Sequence, residues 1–159
     1  MIVKDIKDED FINYKKPSMF ISTAKCDWKC CIEQHLPIET CQNSEVAKMK
    51  NVNCPDSHII SRYLYNNLTE AIVFGGLEPF KQFHELFHFI SLFRQFKQDD
   101  IVIYTGYTET EAAKYATKLK QFPNIIIKYG RYVPNQTPHL DLILGVKLAS
   151  HNQYAKKIS

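Results

Sequence analysis

Three short apolar runs, Ala71–Phe74, Ile101–Tyr104 and Ile125–Ile127, recur about 25–30 residues apart with amphipathic stretches between them. Unbroken β-branched runs of this kind suit strands buried on both faces. Pro79 to about Lys97 carries Phe80, Phe83, Leu86, Phe87, Phe89, Ile90, Phe93 and Phe96 at three- and four-residue spacing, which predicts a helix with a broad apolar stripe. Thr108 to about Phe122 predicts a second helix, with Thr108 as N-cap and Glu111 completing a capping box. Asp56 to Tyr65 predicts a third. Met19–Ile21 and Val146–Leu148 read as an earlier and a later strand. Strand–helix–strand units dictate a parallel sheet with right-handed crossovers, and in such sheets sites gather where strands end.

Composition narrows the class. The 159 residues make one ordinary domain, taken as 1–159, and 45% hydrophobic content excludes intrinsic disorder. No apolar run reaches the roughly 20 residues that span a bilayer, and MIVKDIKDEDF contains no signal-peptide core, so no membrane association is expected. A net charge of +3, with scattered lysines and only Arg62, Arg94 and Arg131, gives no footprint for nucleic acid. Five cysteines, an odd number without an export signal, point to a reducing compartment and a cytoplasmic location.

Four of those cysteines, Cys26, Cys30, Cys31 and Cys41, fall in one window after the Met19–Ile21 strand, in a loop of about residues 23–44. Clustered thiolates there suit an iron–sulfur cluster or zinc. A four-thiolate zinc site from Cys26, Cys30, Cys41 and Cys54 is one alternative, and buried free cysteines are another. Small or polar residues recur at successive strand exits: Gly75-Gly76-Leu77-Glu78-Pro79, Tyr104-Thr105-Gly106-Tyr107, Gly130-Arg131-Tyr132 and Ser150-His151-Asn152-Gln153. Each is weak alone, but together they suit a single cofactor pocket on one side of the sheet.

In this order the motifs resemble the radical S-adenosylmethionine enzymes, and within them the small glycyl-radical activating enzymes of anaerobic ribonucleotide reductase. Cys26 and Cys30 match the first two positions of that family's C-x3-C-x2-C loop, and Cys41-Gln42-Asn43 looks like the third. Cys30 and Cys41 are eleven apart where the family has three, and Cys31 competes as a ligand. Gly75-Gly76-Leu77-Glu78-Pro79 resembles the Gly-Gly-Glu-Pro stretch with one residue added. The resemblance covers about Met19 to Gln153. It implies an α/β fold, a partial (β/α) barrel of about five to six parallel strands open on one side. It implies a [4Fe-4S] cluster on Cys26, Cys30 and Cys41, and S-adenosylmethionine held by Gly75, Gly76, Glu78, Thr105, Gly106 and Asn152. The implied activity is reductive cleavage of S-adenosylmethionine to a 5′-deoxyadenosyl radical that abstracts a glycine hydrogen. The implied partners are the large subunit of an anaerobic ribonucleotide reductase and a flavodoxin or ferredoxin as electron donor. A small-molecule enzyme of the same superfamily, similar to 7-carboxy-7-deazaguanine synthase, shares the cluster and the glycines.

His84-Glu85-Leu86-Phe87-His88 matches the zinc-protease pattern H-E-x-x-H on a helix. Glu109 or Glu111, about one helix later, is the candidate third ligand; the metzincin extension is absent, since Arg94 and Gln95 occupy that region, and zinc leaves the cysteines unexplained. Surface histidines are the plainer reading. His139 and Asp141 also read as surface residues.

Overall fold

A computed structural model describes residues 1–159. Its core is one seven-stranded mixed sheet of order β3-β1-β2-β4-β5-β6-β9. The strands are β1 (Ile2–Asp10), β2 (Ser18–Thr23), β3 (Val52–Asn53), β4 (Ala71–Gly76), β5 (Asp100–Tyr104), β6 (Ile125–Tyr129) and β9 (Tyr154–Lys157). Neighbours β2, β4, β5 and β6 run parallel, while β1, β3 and β9 pair antiparallel at the edges.

The alternation of side chains along each strand divides the core. Ile72 and Phe74 of β4 join Ile101, Ile103, Ile125 and Ile127 in a core of 25 buried residues shared with the helices α3 (Asp56–Tyr65), α4 (Phe83–Phe93) and α5 (Glu109–Leu119). Phe89 of α4 meets Phe74 edge to face at 5.4 Å between ring centres, a geometry aromatic pairs favour. Ala71 and Val73, on the opposite face, join Val102, Ile126, Leu144, Leu148 and Ala155 in a core of eight. That face is covered by a two-stranded hairpin, β7 (His139–Asp141) and β8 (Val146–Leu148).

This architecture corrects the expected partial (β/α) barrel of five to six parallel strands. Only four strands are parallel neighbours, and each end of the row is closed off by an antiparallel strand. A short turn from β1 into β2 forces antiparallel pairing. After β6 the chain builds the hairpin and comes back as β9 against β6. Val146–Leu148, expected among the parallel strands, is β8 of that hairpin. Asp141 is buried rather than superficial, and its carboxylate accepts from the backbone N–H groups of Ile143, Leu144 and Ala155.

The helices follow their sequence signals. Asp56–Tyr65 is α3 with those bounds, and Thr108 caps α5 through the expected reciprocal bonds with Glu111. The stretch from Pro79 begins as a 3-10 turn, Pro79–Gln82, before α4. No helix is long and apolar enough to cross a membrane.

Candidate metal centre

The loops that follow the parallel strands enclose a cleft of about 340 Å³. Cys26 reaches it from the segment after β2, and Cys30 from the short helix α1 (Lys29–Ile32). Cys41 comes from the end of a 3-10 turn, Ile38–Thr40. The ten residues between Cys30 and Cys41 are therefore folded chain: the rest of α1, a turn through His35 in the left-handed region, and the 3-10 turn return Cys41 to the cleft. Cys31 and Cys54 are buried and line no part of it. All five cysteines are free.

Two of the three lining sulfurs receive a backbone N–H. Trp28 donates to Cys26 Sγ at 3.3 Å and Asn43 to Cys41 Sγ at 3.5 Å. Burial still outweighs these donors, pushing the Cys26 thiol up to about 11 and raising Cys30 as well. Metal binding would therefore expel protons from both.

The other wall is built at the exits of β4 and β5. Gly75, Gly76, Glu78, Thr105 and Gly106 all line the cleft, as the sequence motifs imply. Gly76 lies at φ 77°, and a Cβ there would stand 3.1 Å from the Ser22 backbone. Leu77, the residue added to the motif, is buried and faces the same cleft. Glu78 is buried and accepts three hydrogen bonds: from Phe80 N at 3.1 Å, Thr105 Oγ1 at 2.7 Å and Gly106 N at 2.9 Å. Burial nevertheless pushes its carboxyl up to about 7. A carboxylate offers about four lone-pair positions, so one acceptor position remains for a ligand. Asn152 stands apart. It is exposed, is absent from the cleft lining, and its Nδ2 donates to the Arg131 carbonyl at 3.0 Å.

Two charged residues complete the region: Arg131, which the sequence places at a strand exit without a role, and Lys128, which the sequence reading missed. Arg131 is buried and pairs bidentately with both Glu33 and Glu111, while Nη1 also donates to the Gly106 carbonyl at 2.7 Å. It thereby ties the residue after α1, helix α5 and the β5 exit together. Lys128, on β6, is buried and lines the cleft; burial lowers it to about 8. Its signal in the sequence is a lysine ending an otherwise apolar strand run, Ile125-Ile126-Ile127-Lys128.

Three cysteines facing one cleft suit a multi-iron cluster, whose thiolates are spread over its corners. They do not suit one ion. Tetrahedral zinc needs four donors at about 2.0–2.3 Å, and nowhere do three His, Cys, Asp or Glu side chains converge on an ion-sized position. The four-thiolate zinc alternative fails because Cys54 sits beside the N-terminus, outside the cleft. The H-E-x-x-H pattern is spent on other bonds. Glu85 accepts from Ile2 N at 2.6 Å and Lys25 Nζ at 3.2 Å, and His88 Nδ1 bonds Asp56 at 2.8 Å.

No curated protein and no solved structure matches the chain. A family model described as a 4Fe-4S single cluster domain matches residues 19–153, from β2 through the cysteine loop to the last strand exit. With most of its length matched and three thiols gathered at one cleft, this iron–sulfur protein belongs to the 4Fe-4S single cluster domain family.

Proposed function

We propose that the chain is a radical S-adenosylmethionine enzyme of the glycyl-radical activating type, with the cluster held by Cys26, Cys30 and Cys41. One observation carries this reading. The cleft presents three cysteines and no fourth, which leaves one corner of a four-iron cluster without a protein ligand, and the glycines of two strand exits line the same cleft. Compatibility with an oxidoreductase follows from the iron–sulfur family.

When bound and reduced, the cluster supplies the electron that splits the sulfonium of S-adenosylmethionine into methionine and a 5′-deoxyadenosyl radical. The residues of the chain bind, orient and shield. Gly75 and Gly76 let the ligand backbone approach β4, since neither presents a side chain to the cleft. The free acceptor position of Glu78 receives the ligand's ammonium as a charge-assisted hydrogen bond, and that cation favours the ionised carboxylate. Thr105 and Gly106 hold Glu78 in place. Arg131 fixes the segment after the cysteine-bearing helix. The partner acted upon is a glycyl-radical protein, the large subunit of an anaerobic ribonucleotide reductase, and the electron donor is a flavodoxin or ferredoxin.

The test is anaerobic reconstitution with iron and sulfide, reduction, and addition of S-adenosylmethionine with and without the reductase subunit. Formation of 5′-deoxyadenosine together with a glycyl-radical resonance on the subunit is the expected result. Productive 5′-deoxyadenosine formation with a small substrate alone would transfer the chain to the small-molecule class. No cleavage by a fully loaded, reduced cluster would overturn the reading.

A further inference from the structure

Lys128 is the one buried lysine of the chain, and it faces the same cleft as the three cysteines. Its ammonium donates one hydrogen bond, to the Gly130 carbonyl at 3.0 Å, and lies 5.9 Å from the centre of the Tyr104 ring. It takes part in none of the chain's ion pairs. Glu78 also lines the cleft, but its three hydrogen bonds come from Phe80, Thr105 and Gly106, and it forms no ion pair with Lys128.

A buried ammonium without a counter-anion is costly, and proteins ordinarily avoid it by pairing. The register of the sheet keeps Lys128 where it is. It is paired with Tyr104 on β5 and Ala155 on β9, and β6 places Ile126 and Lys128 on the same face. That face is apolar below the cleft, so the ammonium has no direction to turn except toward the cleft and the Gly130 carbonyl. The missing anion is then whatever fills the cleft. A cluster ligated by three thiolates is itself anionic, and reduction adds one further negative charge.

We infer that Lys128 is the built-in counter-cation of the cluster and that its charge raises the cluster's reduction potential. The inference rests on the cluster being held by Cys26, Cys30 and Cys41, and not on cleavage of S-adenosylmethionine. Cluster potentials respond to net charge and burial around the sulfurs. A fixed positive charge facing the cleft favours the reduced state over the oxidised one. The electron comes from an external one-electron donor; Lys128 exchanges neither electron nor proton.

The experiment is a potentiometric titration of the reconstituted full chain, followed by the paramagnetic signal of the reduced cluster, without S-adenosylmethionine. Lys128→Gln and Lys128→Met are expected to disfavour reduction by about tenfold or more, which is about 59 mV for one electron. Lys128→Arg keeps the charge and is expected to stay near the wild-type midpoint. An unchanged midpoint in the neutral variants overturns the proposal, and so does an arginine variant as low as the neutral ones. A wild-type midpoint combined with weakened S-adenosylmethionine binding also overturns it, assigning the lysine to the ligand's carboxylate. If neither neutral variant loads iron but Lys128→Arg does, the charge is needed to hold the cluster, in support; failure of all three overturns the proposal in favour of packing. Retention of the cluster by Cys26→Ala, Cys30→Ala and Cys41→Ala proteins is a separate result that sinks the ligand assignment instead.

Discussion

A methyl group on Gly106 would stand 2.7 Å from Cys30 Sγ. Cys30 sits on α1, and Glu33 at the end of that helix is clamped by Arg131, so the sulfur has little freedom to retreat. Gly106 also donates its N–H to Glu78, and its carbonyl accepts from Arg131 Nη1, which keeps its own backbone fixed. Gly106→Ala should therefore displace Cys30 while the sheet folds normally. The expected result is a loss of iron affinity of ~10-fold or more, the range typical of disturbed outer contacts. Iron and sulfide analysis beside a circular dichroism spectrum checks it, and full loading would refute it.

The cleft separates the five cysteines into two groups. Cys26→Ala, Cys30→Ala and Cys41→Ala should each abolish the reducible cluster. Cys31→Ala and Cys54→Ala should retain it, since both thiols lie outside the cleft lining. The cost of the latter two is expected in stability alone, on the order of 1 kcal/mol for a small buried side chain. Sulfide content and thermal unfolding of the five variants separate the two groups.

The parallel strands and the three long helices were legible because burial on both faces, or along one stripe, leaves a periodic trace. β1 left a poor one: IVKDIKDED holds three apolar residues among six charged ones, and since β3 covers only Ile2 and Val3, the rest of the strand is an edge that tolerates that mixture. β9, Tyr-Ala-Lys-Lys, is nearly all exposed and carries even less. The closure into a barrel came from resemblance, and the antiparallel edges show why periodicity could not test it. At the site, the sequence named Cys26, Cys30, Cys41, Gly75, Gly76, Glu78, Thr105 and Gly106, which share one cleft. It gave no sign of the protein donors to Glu78, because two of the three come from residues 27 and 28 positions away. Arg131 showed the same limit, since Glu33 lies 98 residues away in sequence.

His84 and His88 are surface residues of α4, and neither is expected to bear on metal content. His84→Ala and His88→Ala should leave iron unchanged and alter stability by no more than about 0.5 kcal/mol. Glu85→Ala removes the acceptor of the Ile2 N–H at 2.6 Å and should cost about 1–2 kcal/mol. Denaturant unfolding together with metal analysis checks all three, and a zinc requirement abolished by Glu85→Gln would contradict the assignment.

The Arg131 cluster makes stability depend on acid. Both Arg131 and Lys29 donate to Glu111, at 2.8 and 2.6 Å, and hold its carboxyl well below the usual carboxylate range. The hydrogen bonds from Arg131 also lower Glu33, but that side chain is half exposed and solvent screens its share. A carboxyl with a depressed folded pKa binds fewer protons folded than unfolded between the two values. Its contribution is complete above the unfolded value near 4.3 and declines as pH falls from there toward the folded value. Wild-type stability should therefore fall steadily below about pH 4.3, and Glu111→Gln should flatten that slope while lowering stability at neutral pH. Urea unfolding of both proteins across that range measures the difference. A variant that keeps the wild-type slope would show that Glu111 is not the titrating group.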